Sequence, residues 1–148
     1  MKKNFFIKIL TIYFLLLLSV VAKQANYFEK GIKLYENNKF EESKIFFERE
    51  IVFNPKHEKS YLYLAKIFNE NKNEEEQEIN LNNVLLLNPQ NDEAIYMLTL
   101  LKIKQSDYKK AKELIDQFIL ICEVFCFKEN EMQKKFMKLT PENAEVKN

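Results

Sequence analysis

The sequence predicts an all-α protein made of antiparallel helix pairs, and three observations carry that prediction. Asn-Pro occurs at Asn54-Pro55 and again at Asn88-Pro89, and the residues around the two copies recur in the same 34-residue register. Thirty-four residues is the length of a two-helix unit that cannot bury its apolar face alone and must stack on a copy of itself. Apolar residues recur at three and four, the spacing of one helix face, in Tyr61, Leu64, Phe68 and in Tyr96, Met97, Leu100, Leu101. One glycine and three prolines in 148 residues leave little material for β-turns, and no stretch alternates like an exposed strand.

The first element is a leader. Met1-Lys2-Lys3-Asn4 is basic, Ile9 to Val21 is apolar and uncharged, and Val20 and Ala22 supply small residues at its end. That pattern predicts a secretory signal cut after Ala22. Phe5-Phe6-Ile7 extends the apolar run past Lys8, so the alternative is an uncleaved membrane anchor. Either places the body outside the cytoplasm, because the N-terminal lysines favour staying inside. No cysteine follows the run directly, which argues against a lipid-modified N-terminus.

Helices follow near 25–37, 39–53, 57–70, 74–87, 91–104 and 107–125. Asn38, Asn73 and Ser106 stand as capping residues before the second helix of each pair, each ahead of acidic side chains that suit the positive helix end. The asparagines of the two Asn-Pro pairs end the second helices, since the residue before proline is pushed out of helical geometry. A further helix over 129–139 puts Met132, Phe136 and Met137 on one side and caps the last unit. After Thr140-Pro141 the tail is polar. The divisions are therefore 1–22, 24–57, 58–91, 92–125 and 126–148.

Aligned at this period, the columns read Tyr27, Tyr61, Ile95; Gly31, Ala65, Thr99; Leu34, Phe68, Lys102; Ser43, Gln77, Ala111; Phe47, Leu81, Ile115; and Ile51, Leu85, Ile119. These rows resemble tetratricopeptide repeats, whose signature is a large aromatic, Leu-Gly, Tyr, then Ala, Phe, Ala and a closing Pro. Tyr27, Gly31, Leu34, Phe40, Ser43, Phe47 and Pro55 match in the first row. Tyr61, Leu64, Ala65, Phe68, Leu81, Val84 and Pro89 match in the second, and Leu98, Tyr108, Ala111 and Ile115 in the third. Lys30, Glu50, Gln77 and Lys102 depart from the pattern, and Glu123 sits where a third proline would be. The resemblance implies a right-handed α-solenoid whose first helices line a concave groove. Its groove positions are Phe28, Ile32 and Tyr35 in the first unit, Leu62, Lys66 and Asn69 in the second, and Tyr96, Leu100 and Ile103 in the third. Glu36, Glu70 and Lys104 lie toward its edge. One class of these repeats clamps a terminal carboxylate with Lys, Asn, Asn, Lys and Arg. Those positions are Phe28, Ile32, Tyr63, Glu93 and Met97 here, so a chaperone tail is not the expected ligand.

Chemistry is sparse. His57 is the one histidine, expected as an exposed first-turn residue, and it lacks the companions a metal site or an activated nucleophile needs. A chain with Gly31 alone has no phosphate loop. Glu74, Glu75, Glu76 and Glu78 read as a solvated helix start rather than a cation site. Cys122 and Cys126, expected on one helix face, read as small apolar residues beneath the end of the stack, with a redox switch or an intermolecular bridge as the alternatives. No catalytic residue, cofactor or metal is expected. Without residues 1–22 the count is 20 basic against 22 acidic, because Lys2, Lys3 and Lys8 leave 23 − 3. A near-neutral body gives no reason to expect nucleic acid. The expected function is a non-catalytic scaffold that binds a peptide or helix with apolar side chains, and the membrane is met only through the N-terminal segment. The alternative is a self-associating structural subunit, with Phe125 and Phe127 at the open end of the stack.

Overall fold

A computed structural model describes residues 27–139. The leader, its cleavage position and the tail from Thr140 lie outside the described residues. The described chain is helical throughout, with no strand: α1 (Tyr27–Glu36), α2 (Phe40–Phe53), α3 (Glu58–Glu70), α4 (Glu74–Leu87), α5 (Asp92–Lys104), α6 (Tyr108–Ile121), a short 3-10 turn at Cys126–Lys128, and α7 (Glu129–Leu139). It divides into two compact units at Pro55 and Lys56.

The first unit is the α1–α2 hairpin. Gly31 lets the two helices approach, because the buried Phe47 ring occupies the space a Cβ would need. Ser43 Oγ, also buried, donates to the Gly31 carbonyl at 2.8 Å across the same contact. Phe28 packs on Phe47 at 5.7 Å between ring centres, and Tyr35 on Phe40 at 5.2 Å. Lys30, which departs from the repeat pattern, is exposed, with its ammonium near the Phe46 ring.

The second unit holds the α3–α4 and α5–α6 pairs and α7. Its core gathers Ala65, Leu81, Val84, Ile95, Leu98, Ile115 and Phe118, with Tyr61 packed against them. Of these, Tyr61, Ala65, Leu81, Ile95 and Ile115 stand in the columns the 34-residue register aligns. Lys102, another departure, directs its ammonium to Glu78 and, at 3.0 Å, to Gln105, while its stem lies mostly covered. This arrangement keeps the charge satisfied while the methylenes pack.

The turn inside each pair is built identically. Asn38, Lys72 and Ser106, 34 apart, adopt left-handed backbone at φ 58°, 56° and 61°. Around each, the following residue's N–H reaches back five positions: Lys39 to Leu34, Asn73 to Phe68 and Asp107 to Lys102, all at 2.9 Å. The left-handed residue itself donates to Tyr35, Asn69 and Ile103. These two bonds satisfy carbonyls that the helix end leaves unpaired. Two capping expectations are thereby corrected. Asn38 and Ser106 are the left-handed turn residues, not caps: Lys39 precedes α2 without a side-chain capping bond, and Asp107 caps α6 by accepting from the Lys110 N–H. Asn73 does cap α4. A lysine or serine in left-handed geometry carries a Cβ penalty that glycine lacks. Lys72→Gly and Ser106→Gly are each expected to stabilise the second unit by about 0.5–1 kcal/mol, read as a higher urea midpoint at unchanged slope.

The link between pairs is also repeated. Asn54 and Asn88 are extended, at φ −133° and −141°, as the following prolines require. In the third row the same position is Cys122, and α6 ends there, at Ile121, rather than running to 125. Cys122 leaves helical geometry at ψ 135°, and the chain turns so that Cys122 and Cys126 lie 5.3 Å apart at Cα and are joined by a disulfide. The expectation of two unlinked cysteines on a helix face is corrected accordingly. Glu58 and Asp92, equivalent first residues of α3 and α5, each hold the turn 30 or more residues ahead. Glu58 Oε1 accepts from the Asn88 amide at 3.2 Å and from Asn91. Asp92 Oδ2 accepts from the backbone N–H of Glu123, Val124 and Phe125 at 2.9, 2.7 and 2.8 Å.

Helix α7 packs on α6 and α5. Met132 is fully buried in the core, and Phe136 meets Tyr108 edge-on at 6.3 Å. Met137, expected on the same packed side, is mostly exposed.

Candidate cleft on the inner face of the second unit

Helix α5 presents its Tyr96, Met97, Leu100, Leu101, Lys104 edge to a cleft of about 320 Å³, completed by Asn69 from α3 and Gln77 from α4. The spacing of three and four along α5 puts these five side chains in one row. Asn69 and Lys104 are exposed at the rim, whereas Leu101 and Gln77 are buried at the floor. Lys104 pairs with Glu74 at 2.7 Å, and its hydrogen bond is the main cause that holds the Glu74 carboxyl below the usual range.

Of the nine expected groove residues, the structure brings three together here: Asn69, Tyr96 and Leu100. Leu62 and Ile103 are corrected. Both are buried, at 7 % and 4 % exposure, and offer a partner almost no surface. Lys66 is engaged at its charged end, with an ion pair to Glu93 at 2.7 Å and its ammonium 4.9 Å from the Tyr63 ring centre. Phe28, Ile32 and Tyr35 belong to the first unit and are half-buried, the two aromatic rings within their own hairpin.

Tyr96 is shared between the cleft and the C-terminal segment. Its ring packs on Phe125 at 6.1 Å, and its hydroxyl donates to Glu131 Oε1 at 3.1 Å. Burial, reinforced by Glu131, raises the Tyr96 pKa. Glu131 in turn accepts from Lys128 and Lys135, both at 2.8 Å, and these bonds lower its carboxyl to about 2. Phe125, expected at a free end, is thus half-buried against the cleft wall, while Phe127 stays mostly exposed.

Gln77, Met97 and Leu101 complete the cleft without having been assigned to it. Met97 and Leu101 stand in the apolar run of α5, so the signal was present. Gln77 occupies a column whose other members, Ser43 and Ala111, are small; its longer side chain reaches the cleft floor. His57 is not an exposed first-turn residue. It caps α3, half-buried, with Nδ1 3.3 Å from the Ser60 N–H and 2.9 Å from Ser60 Oγ. Among the described residues no group of His, Cys, Asp or Glu is arranged to hold a metal.

No family model matches the sequence, and no curated protein matches it. Solved structures do match its fold. An Arabidopsis OM64 TPR domain superposes with a TM-score of 0.70 at 18 % identity, covering 78 % of this chain and 94 % of that one. The first TPR of Spaghetti (RPAP3), bound to the HSP90 peptide SRMEEVD, gives 0.70 at 18 %, over 80 % and 94 %. The Sgt2 TPR domain from Aspergillus fumigatus gives 0.65 at 13 %, over 85 % and 89 %. The fold is that of tetratricopeptide repeat domains.

Proposed function

We propose that this chain is a non-catalytic protein-interaction scaffold, exported or membrane-tethered, that holds a peptide or helix of a partner in the α5-lined cleft. The carrying observation is the cleft itself, where Met97 and Leu100 stand between amide groups and a rim lysine on a face the fold leaves open. A pocket that is apolar at its centre with a few polar groups suits one or two large apolar side chains of a partner, oriented by hydrogen bonds at their flanks. A structural neighbour holds a peptide ending in Glu-Glu-Val-Asp. The partner proposed here differs in chemistry. Glu93 and Met97 stand where a terminal carboxylate would need cations, and the anionic Glu93 disfavours one.

A photo-crosslinker at Leu100 is expected to capture a defined partner that the same group at Leu86, exposed on α4 outside the cleft lining, does not. Leu100→Asp, which places a charge in the cleft, is expected to weaken that partner at least tenfold, about 1.4 kcal/mol. Equal capture at both positions, or unchanged affinity for Leu100→Asp, defeats the reading. Self-association is the second reading. Leu86 and Leu120, equivalent residues 34 apart on α4 and α6, are 81 % and 84 % exposed, and Val52 holds the same position on α2. Light scattering that finds a monomer at every concentration removes it.

A further inference from the structure

The first unit exposes an aromatic and apolar tip that its own fold does not use. Tyr27, the first residue of α1, stacks on Phe53, the last of α2, at 5.6 Å and 8° between rings. Val52 beside it is 74 % exposed and Phe53 itself 53 %. About a turn or two further from this end lies Phe46, 6.4 Å from Tyr27, with the Lys30 ammonium at 6.0 Å and the Arg49 guanidinium at 5.8 Å from its ring centre. Rings lead, and cations follow behind them. Amphipathic rings with lysine and arginine are the side chains that settle at the boundary between hydrocarbon and headgroups.

The sequence supplies the reason to choose lipid as the occupant. The apolar run 9–21 ends six residues before Tyr27, and six residues of extended chain reach about 20 Å at most. A run seated in a bilayer would therefore keep this tip within about 20 Å of the hydrocarbon edge, close enough for it to reach the headgroups. A two-fold contact between copies would set Lys30 and Arg49 of one copy against the same cationic patch of the other, whereas lipid phosphates neutralise them.

We infer that residues 9–21 remain in the chain as an anchor and that the Tyr27, Val52, Phe53 tip of the first unit rests on the lipid interface, with Lys30 and Arg49 at phosphate level. This is a second membrane contact, made by the folded body, and it rests on the membrane-tethered form of the proposed function. It is independent of whether the α5-lined cleft binds a partner.

The chain has no tryptophan, so one introduced indole reports alone. Full-length Phe53→Trp is incorporated into phosphatidylcholine–phosphatidylglycerol vesicles, with and without bromine on the acyl chains near the headgroup. Its emission is expected to move to the blue and to lose most of its intensity in the brominated vesicles. Full-length Lys39→Trp, exposed at the opposite end of the same hairpin, is expected to keep the emission of an indole in water. Val52→Trp repeats the measurement without disturbing the Tyr27 stack, and far-UV circular dichroism checks that each variant is folded. An unquenched indole at both 52 and 53 overturns the inference, as does equal quenching at 39. A chain that fails to float with the vesicles overturns it too.

Discussion

Phe47→Ala is expected to cost the α1–α2 hairpin about 3–5 kcal/mol, enough to unfold it. The ring is fully buried, packs on Phe28 and fills the space over Gly31. The reciprocal change shows how closely the pair fits. A Cβ on Gly31 would lie 2.6 Å from Phe47 Cε1 and 2.9 Å from both Cδ1 and Cζ. Alanine gains about 1 kcal/mol of helix propensity over glycine, but overpacking a well-filled contact costs about 1–3 kcal/mol. Phe47 has no exposed side to swing toward, so Gly31→Ala is expected to destabilise on balance. Combining Gly31→Ala with Phe47→Leu should cost less than the sum of the two single changes, because the smaller side chain vacates the space the new methyl needs. Hydrogen exchange of the α1 and α2 amides reads all three variants; additive costs would show that the two residues do not share that space.

Asp92→Ala is expected to destabilise the second unit by about 1–2 kcal/mol, since it removes the charged oxygen that accepts from three N–H groups of the 123–125 turn, the Phe125 one part-buried. The same contact predicts acid sensitivity. Burial pushes the Asp92 carboxyl up, the three backbone N–H bonds push it down, and the bonds prevail, so its pKa is lowered in the folded state. A lowered folded pKa means that the contribution is complete above the unfolded value, about 3.9 for an aspartate, and is lost as pH falls through the folded one. Glu131, lowered from 4.5 to about 2 chiefly by its bonds to Lys128 and Lys135, acts in the same direction, its contribution being lost as pH falls between those values. Urea midpoints should therefore fall between about pH 5 and pH 2, and Asp92→Ala should flatten that fall. A variant that keeps the full slope would show that Asp92 does not produce it.

The helix pairs were legible because their determinants are local and repeated. The 34-residue register, the two Asn-Pro pairs and the three-four apolar spacing place α3, α4 and α5 within a residue of where they lie. The end of α6 was also written in the register, since Cys122 stands where Asn54 and Asn88 stop their helices. Without the proline, however, the stop depends on Asp92 and on the disulfide, and neither follows from neighbouring residues. Asn38 and Ser106 look like caps by composition. Their role as left-handed turn residues depends on bonds reaching back five positions, which the type of residue does not announce. At the cleft, the row along α5 follows from helix spacing. The capture of Tyr96 by Phe125 and Glu131 is a contact across about 30 residues that no local pattern encodes. Leu62 and Ile103 were misplaced for a related reason: a position that faces a groove in a family is covered or open according to which side chains stand around it here.

The seat of Met132 has a consequence for synthesis. Residues 92–121 complete their share of the core only when α7 brings in Met132, on a helix of eleven residues that begins eight positions after α6 ends. During translation the third pair is therefore exposed until nearly the end of the described chain has emerged. A message truncated anywhere between codons 126 and 131 would yield a product with every repeat present and its closing surface bare, a substrate for chaperones or proteases rather than a shorter working protein.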